Sequence, residues 1–267
     1  MPHGFRFVTA ALILAAAISL FGARPAFDSF EVATIKPTPG DWTQGRFIRM
    51  QSADQFVARG HTLKTLVEAA YNLPPVAISG GPAWIDTDRY DILAKTPGGV
   101  RPEPDEQMAM LRALLADRFR LSIHRARKEL PVFTLTVAKG GPKIRETDLS
   151  SDVAPEGPPP LVFAIELPVV RMHGRDATVA ELASVMQRAA LDRPVLDQTG
   201  LTGRYDFEMV FTPDEGQFGG MLGKVSDELK APGLFAALQE QLGLKLEATK
   251  GSVETLIIDG VERPSGN

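Results

Sequence analysis

Apolar residues recur at helical spacing in four stretches of the chain. In TLKTLVEAAYNL, Leu63, Leu66, Val67 and Ala70 share one face behind Thr62, a suitable N-cap. Met108, Leu111, Leu114, Leu115 and Phe119 predict a second amphipathic helix. TVAELASVMQ opens a third, with Thr178 and Glu181 at capping-box spacing. Leu234, Leu238 and Leu242 mark a fourth, which Gly243 stops. Between them the period falls to two: FEVATIKP, GRFIRM, QFVAR, RYDILAK, LSIHRAR, PVFTLTV, LVFAIEL, VVRMH, RYDFEMVF, LKLEATKG and VETLIIDGV read as strands. Gly and Pro punctuate a short strand and turn in PPVAISGGPAWIDTD, and RPVLDQTGLTG does the same further on.

The order helix, strand, strand, helix, strand, strand therefore occurs twice. Particular residues match as well: RYDILAKTP begins at Arg89 and RYDFEMVFTP at Arg204, 115 positions later. Leu66 matches Leu182 at an offset of 116, and Leu121 matches Leu244 at 123. The offsets change only across the links, so duplication explains them better than chance. The expected fold class is α+β, with two tandem related lobes, each of two helices packed on a small mixed or antiparallel sheet. The boundaries are residues 27–140 for the first lobe, 141–160 for a Pro/Gly-rich linker (GGPKIRETDLSSDVAPEGPPP marks it), and 161–267 for the second lobe.

Two uses suit the repeated residues. Tyr90 and Tyr205 bury rings under a helix while Asp91 and Asp206 tie down a turn, or two Arg-Tyr-Asp sets flank a shared groove. Arg89 and Arg204 are the candidates for ligand binding, because a guanidinium grips a carboxylate in two-pronged fashion. Trp84, in a Pro/Gly turn, is either a plug over the core or an anchor for a partner. Trp42 lies in a loop segment, PTPGDWTQG.

Residues 1–26 carry Arg6, an uncharged stretch from Phe7 to Ala23, then Arg24, Pro25 and Ala26, which reads as an export signal, with an uncleaved anchor as the other option. Either way the expected location is the periplasm or the cell exterior. Removing this segment takes the formal charge from −4 to −6, a poor balance for nucleic acid. With no cysteine, burial alone must hold the fold, and thiolate catalysis and cysteine metal sites are excluded. His61, His124 and His173 lack metal-binding spacing. Ser79 lacks the pattern around a nucleophile. GGMLGKV fails as a phosphate loop at Phe218 and Val225. DTDRYD, with Asp86, Asp88 and Asp91, has too few ligands for calcium. No catalytic residue, metal or cofactor is assigned.

FEVATIKP, ISGGPAWIDTDRYDILAK, LRALLADRFRLSIHR, ELPVFTLTVAKGGPK, RPVLDQTGLTGRYDF, LFAALQEQLGLKLE and IIDGVERPS together resemble a soil-associated family of exported bacterial proteins of unknown function. Members of that family are similar to a domain appended to sensor-type membrane metallopeptidases related to β-lactam receptors. A looser resemblance is to the short N-terminal domains of secretins and TonB-dependent receptors, clearest over residues 178–261. The resemblance implies a non-enzymatic binding or interaction module with a protein, peptide or cell-wall ligand, touching a membrane only through an uncleaved N-terminus. The alternatives are a hydrolase acting on an extracellular or cell-wall polymer and a structural or competitive secreted factor.

Overall fold

The computed structural model describes residues 25–43, 45–147, 161–223 and 231–264. The expected signal, apart from its last two residues, lies outside them, as do residues 148–160 of the linker and the last two residues of GGMLGKV. The chain runs β1 (Val32–Pro37), β2 (Phe47–Met50), β3 (Gln55–Thr62), α1 (Leu63–Tyr71), β4 (Ile78–Gly80), β5 (Arg89–Lys95), α2 (Pro104–Arg118), β6 (Ser122–Val137) and β7 (Arg145–Glu146). It continues with β8 (Leu161–Glu166), β9 (Val169–Ala177), α3 (Val179–Val185), β10 (Val195–Asp197), β11 (Tyr205–Phe211), α4 (Leu234–Gln241) and β12 (Leu244–Gly260). Three four-stranded sheets result, in the orders β1-β5-β3-β2, β10-β6-β12-β4 and β7-β11-β9-β8.

The helices follow the apolar periodicity. Thr62 caps α1 by accepting from the Thr65 amide, and Leu63, Leu66, Val67 and Ala70 face inward. Thr178 and Glu181 form the reciprocal capping box of α3, with the Thr178 amide donating to Glu181 Oε2 at 2.7 Å. Gly243 ends α4 at φ 65°, where a Cβ would stand 2.1 Å from the Gly141 carbonyl oxygen.

Two hydrophobic cores form. The first packs α1 and α2 on the β1-β5-β3-β2 sheet, around Phe56, Leu66, Ile92, Leu111, Leu115 and Phe119. The second packs α3 and α4 on the β7-β11-β9-β8 sheet, around Met172, Leu182, Met209, Phe211, Leu238 and Leu242.

The middle sheet overturns one expectation. LSIHRAR and PVFTLTV were expected as two strands, as were LKLEATKG and VETLIIDGV, but each pair is one continuous strand. β6 and β12 run antiparallel to each other along almost their whole length, from Val137↔Leu244 to Ser122↔Gly260. Leu256 and Ile258, near the end of the chain, complete the first core, and Phe133 and Leu135 complete the second. KELP (residues 128–131) lacks the Gly or Asn that a tight hairpin needs at positive φ. Side chains crowd Gly251: a Cβ there would meet Leu196 Cδ1 at 2.8 Å and Val132 Cγ2 at 3.1 Å.

The start of the expected linker is folded. β7 pairs with β11 at Tyr205↔Glu146 and Asp206↔Arg145, and Ile144 packs on the second core.

Candidate functional site

The repeated Arg-Tyr-Asp sets stand at the same point of the first and third sheets. Tyr90 is 5% exposed, its ring edge-on to Phe119 at 5.2 Å, and Tyr205 is 9% exposed. Beside Tyr90 the β3–β5 register slips between Ala58 and His61, with Gly60 at φ 69°. The extra residue of such a bulge leaves an amide without a ladder partner. Asp91 Oδ1 takes it, accepting from the Gly60 amide at 3.0 Å and from Thr38 Oγ1 at 2.8 Å. The β9–β11 register slips in the same way beside Tyr205, with Asp176 at φ 49°. Here Asp206 Oδ1 accepts from the Asp176 amide at 2.9 Å and from Thr147 Oγ1 at 3.1 Å. The amides of Thr38 and Thr147 donate in turn to the carbonyls of Arg89 and Arg204, at 2.9 and 2.8 Å. The tyrosines and aspartates thus fasten bulged strands, and the feature they tie down is a bulge where a turn was expected. The Asp176 amide, with Arg145 at 2.9 Å and Thr147, holds the Asp206 carboxyl below the usual carboxylate range against the opposing effect of burial.

The three candidate binding residues do not share a surface. Alternation along β5 puts Arg89 with Asp91, Leu93 and Lys95 on the sheet face away from the core. Arg204 belongs to the third sheet, where it donates to the Asp176 carbonyl and lies 3.5 Å from Asp176 Oδ2. Trp84 is half-buried against the first core, covered by the Arg263 guanidinium 5.0 Å from its ring, and Arg263 is in turn 2.9 Å from Asp88. Trp84 thus packs over the first core beneath Arg263. The acids of DTDRYD diverge: Asp86 pairs with Lys64 at 3.0 Å, Asp88 with Arg263, and Asp91 with the bulge. Among the described residues no group of three or more His, Cys, Asp or Glu is placed to hold a metal ion.

The outward faces of the two sheets differ in chemistry. On the third sheet charges pair with one another: Arg171 with Glu166 at 3.3 Å and Glu208 at 3.6 Å, and Arg145 with Asp206. An open depression of about 540 Å³ lies there, lined by Arg145, His173, Arg175, Asp176, Asp206 and Glu208 among others. On the first sheet the face is aromatic, apolar and cationic. Trp42 and Phe47 rings lie 6.4 Å apart, with Arg59 5.5 Å over Trp42 and Arg49 4.6 Å over Phe47. Beyond them Leu93 is 47% and Val32 65% exposed, beside a depression of about 410 Å³ that Thr34, Gln55 and Lys95 also line. Trp42, Phe47, Arg49 and Arg59 were not among the sequence candidates. Their signal was present as FxR in β2 and VxR in β3, aromatic or aliphatic and arginine side chains at alternate, outward positions of neighbouring strands.

His61 distinguishes the first core. It is 6% exposed, its Nδ1 is 3.1 Å from Thr65 Oγ1, and Nε2 has no partner among the described residues. Burial, followed by the nearby charge of Arg46, lowers its pKa from 6.5 to about 4. Its register partner is Tyr90, and Ala177 stands in the matching place opposite Tyr205. Because the unfolded chain takes up this proton near pH 6.5 and the folded chain only near 4, stability is full above that window and declines as pH falls through it. His61→Ala is expected to flatten the dependence of the urea midpoint on pH across the same window.

No curated protein and no solved structure matches the chain. A family described as proteins of unknown function (DUF3738) matches residues 64–261, from the first turn of α1 to the residue after β12. The match takes in the second core, its bulge fastening and the α1, β5 and α2 parts of the first core, leaving β1 to β3 outside it, and the chain belongs to this family.

Proposed function

We propose that the chain is a non-enzymatic, exported binding module of two tandem copies of one α+β unit, acting in the periplasm or outside the cell. The duplication is supported by the shared fastening of Thr38, Gly60 and Asp91 on one side and Thr147, Asp176 and Asp206 on the other. The leading strand of the second copy is then β7, the counterpart of β1. Export is supported by the basic, apolar and small-residue order of residues 1–26.

The observation that carries a binding role is the outward face of the first sheet. Leu93 and Val32 are exposed on this face, which also carries Arg49 and Arg59 over aromatic rings. Exposed apolar area with aromatic and arginine side chains is the composition of an interaction hot spot. The ligand classes that fit are a protein, a peptide or a cell-wall fragment, and Arg89 lies on the same face. Co-sedimentation with isolated cell-wall sacculi tests the reading, with peptidoglycan, glycan and ester substrates screened in parallel for turnover. Saturable retention is expected, weakened about fivefold or more by Trp42→Ala and by Arg89→Ala in folded protein. Retention unchanged in both variants overturns the surface. Turnover abolished by a single carboxylate substitution such as Glu208→Gln makes the chain a hydrolase instead.

A further inference from the structure

We infer that the first sheet takes an extended acidic peptide as an added strand along β2, with carboxylates against Arg49 and, across Phe47, Arg59. This deepens the binding-module reading and rests on it. β2 is the last strand of its sheet, and among the described residues no strand pairs with its far side. Its outward backbone groups are therefore a template for one more strand. Phe47 and Arg49 alternate along it toward the outer face, and Arg59 stands directly across from Phe47 in the register. A strand laid beside β2 places every second side chain within about 5 Å of that row.

Charge favours an acidic occupant. Lys36, Arg49, Arg59, Arg89 and Lys95 project from this face in a chain whose formal charge is −4. Of the acids nearby, Asp91 is taken by Gly60 and Thr38, Glu31 by Lys95 at 3.3 Å, and Asp54, which lines the depression beside Lys95, accepts from Ser52 Oγ at 2.8 Å. Among the described residues no carboxylate lies within ion-pair distance of Arg49 or Arg59. Each guanidinium carbon lies over a ring, Arg49 4.6 Å from Phe47 and Arg59 5.5 Å from Trp42, and a guanidinium can make two-pronged contact with a carboxylate. A peptide is favoured over an acidic polysaccharide or a nucleic acid because only a peptide matches the open N–H and C=O row of β2. The apolar side chains of the same peptide rest on Phe47.

The test follows Trp42 fluorescence in a Trp84→Phe background, where Trp42 is the sole tryptophan. Probes are a short peptide alternating glutamate and valine, its lysine counterpart, an N-methylated copy of the acidic peptide, an acidic polysaccharide and a single-stranded oligonucleotide. Saturable binding of the acidic peptide is expected, weakening with salt and falling about tenfold in the Arg49→Ala, Arg59→Ala double variant. N-methylation, which removes ladder donors, is expected to abolish binding, and Arg171→Ala on the other sheet to leave it unchanged. Unfolding midpoints confirm that each variant is folded, and Arg49→Lys, Arg59→Lys retains charge if the alanine pair is not. Equal binding of the lysine peptide, insensitivity to the arginine pair, or tighter binding of the polysaccharide or oligonucleotide overturns the inference. Retention on sacculi without any response to the acidic peptide overturns this occupant alone and leaves the binding module standing.

Discussion

Leu256→Ala is expected to lower the unfolding free energy by about 3 kcal/mol, the usual scale for truncating a fully buried leucine. The side chain is 0% exposed and packs in the first core, although it sits near the end of a chain whose tryptophans are at positions 42 and 84. Tryptophan fluorescence during urea unfolding therefore reads the effect in the first half of the chain. A midpoint shift of about 1 M or more is expected at the usual urea sensitivity of a domain this size. A tryptophan transition that does not move would contradict the exchange of strands between the cores. Leu135→Ala makes the reciprocal deletion, because Leu135 is equally buried but belongs to the second core.

The second large effect is expected at Asp206. Asp206→Ala leaves the Asp176 amide and Thr147 hydroxyl without their acceptor, at a cost of about 1.5–3 kcal/mol for a hydrogen bond to a charged group. Asp206→Asn keeps an oxygen there and is expected to cost less, but it removes the titration. The folded carboxyl is held below its ordinary value of 3.8, so its contribution is present above that pH and is lost as the pH falls through the folded value. Urea midpoints from pH 6 down to 2 should therefore show an acid limb in the parent that Asp206→Asn reduces. An unaltered limb would assign acid sensitivity to other groups.

Helices and their caps were legible in the sequence because their signals are local. Thr62, Thr178 with Glu181, and Gly243 all act within a turn of their own position. The match of Arg89-Tyr90-Asp91 to Arg204-Tyr205-Asp206 was also legible, and so was the use of the tyrosines and aspartates in folding. The bulge was not, since Gly60 and Asp176 acquire their need for an acceptor only when a neighbouring strand slips past them. The continuity of β6 and β12 was not legible, because no local signal shows that two alternating segments join into one strand. Of the site candidates, Arg89 lies on the face on which the binding proposal rests, and Phe47, Arg49 and Arg59 of that face were not singled out. Alternation shows that Phe47 and Arg49 share a face of β2, but not whether that face turns inward or outward.

The exchange of β6 and β12 governs the order in which this protein can assemble. Residues 32–121 leave the ribosome before 256–258, so the first core lacks its closing strand until those later residues have been made. A first half that folded from the N-terminus alone would leave uncovered the apolar surface that Leu256 and Ile258 close, so completion of the first core waits for the second half.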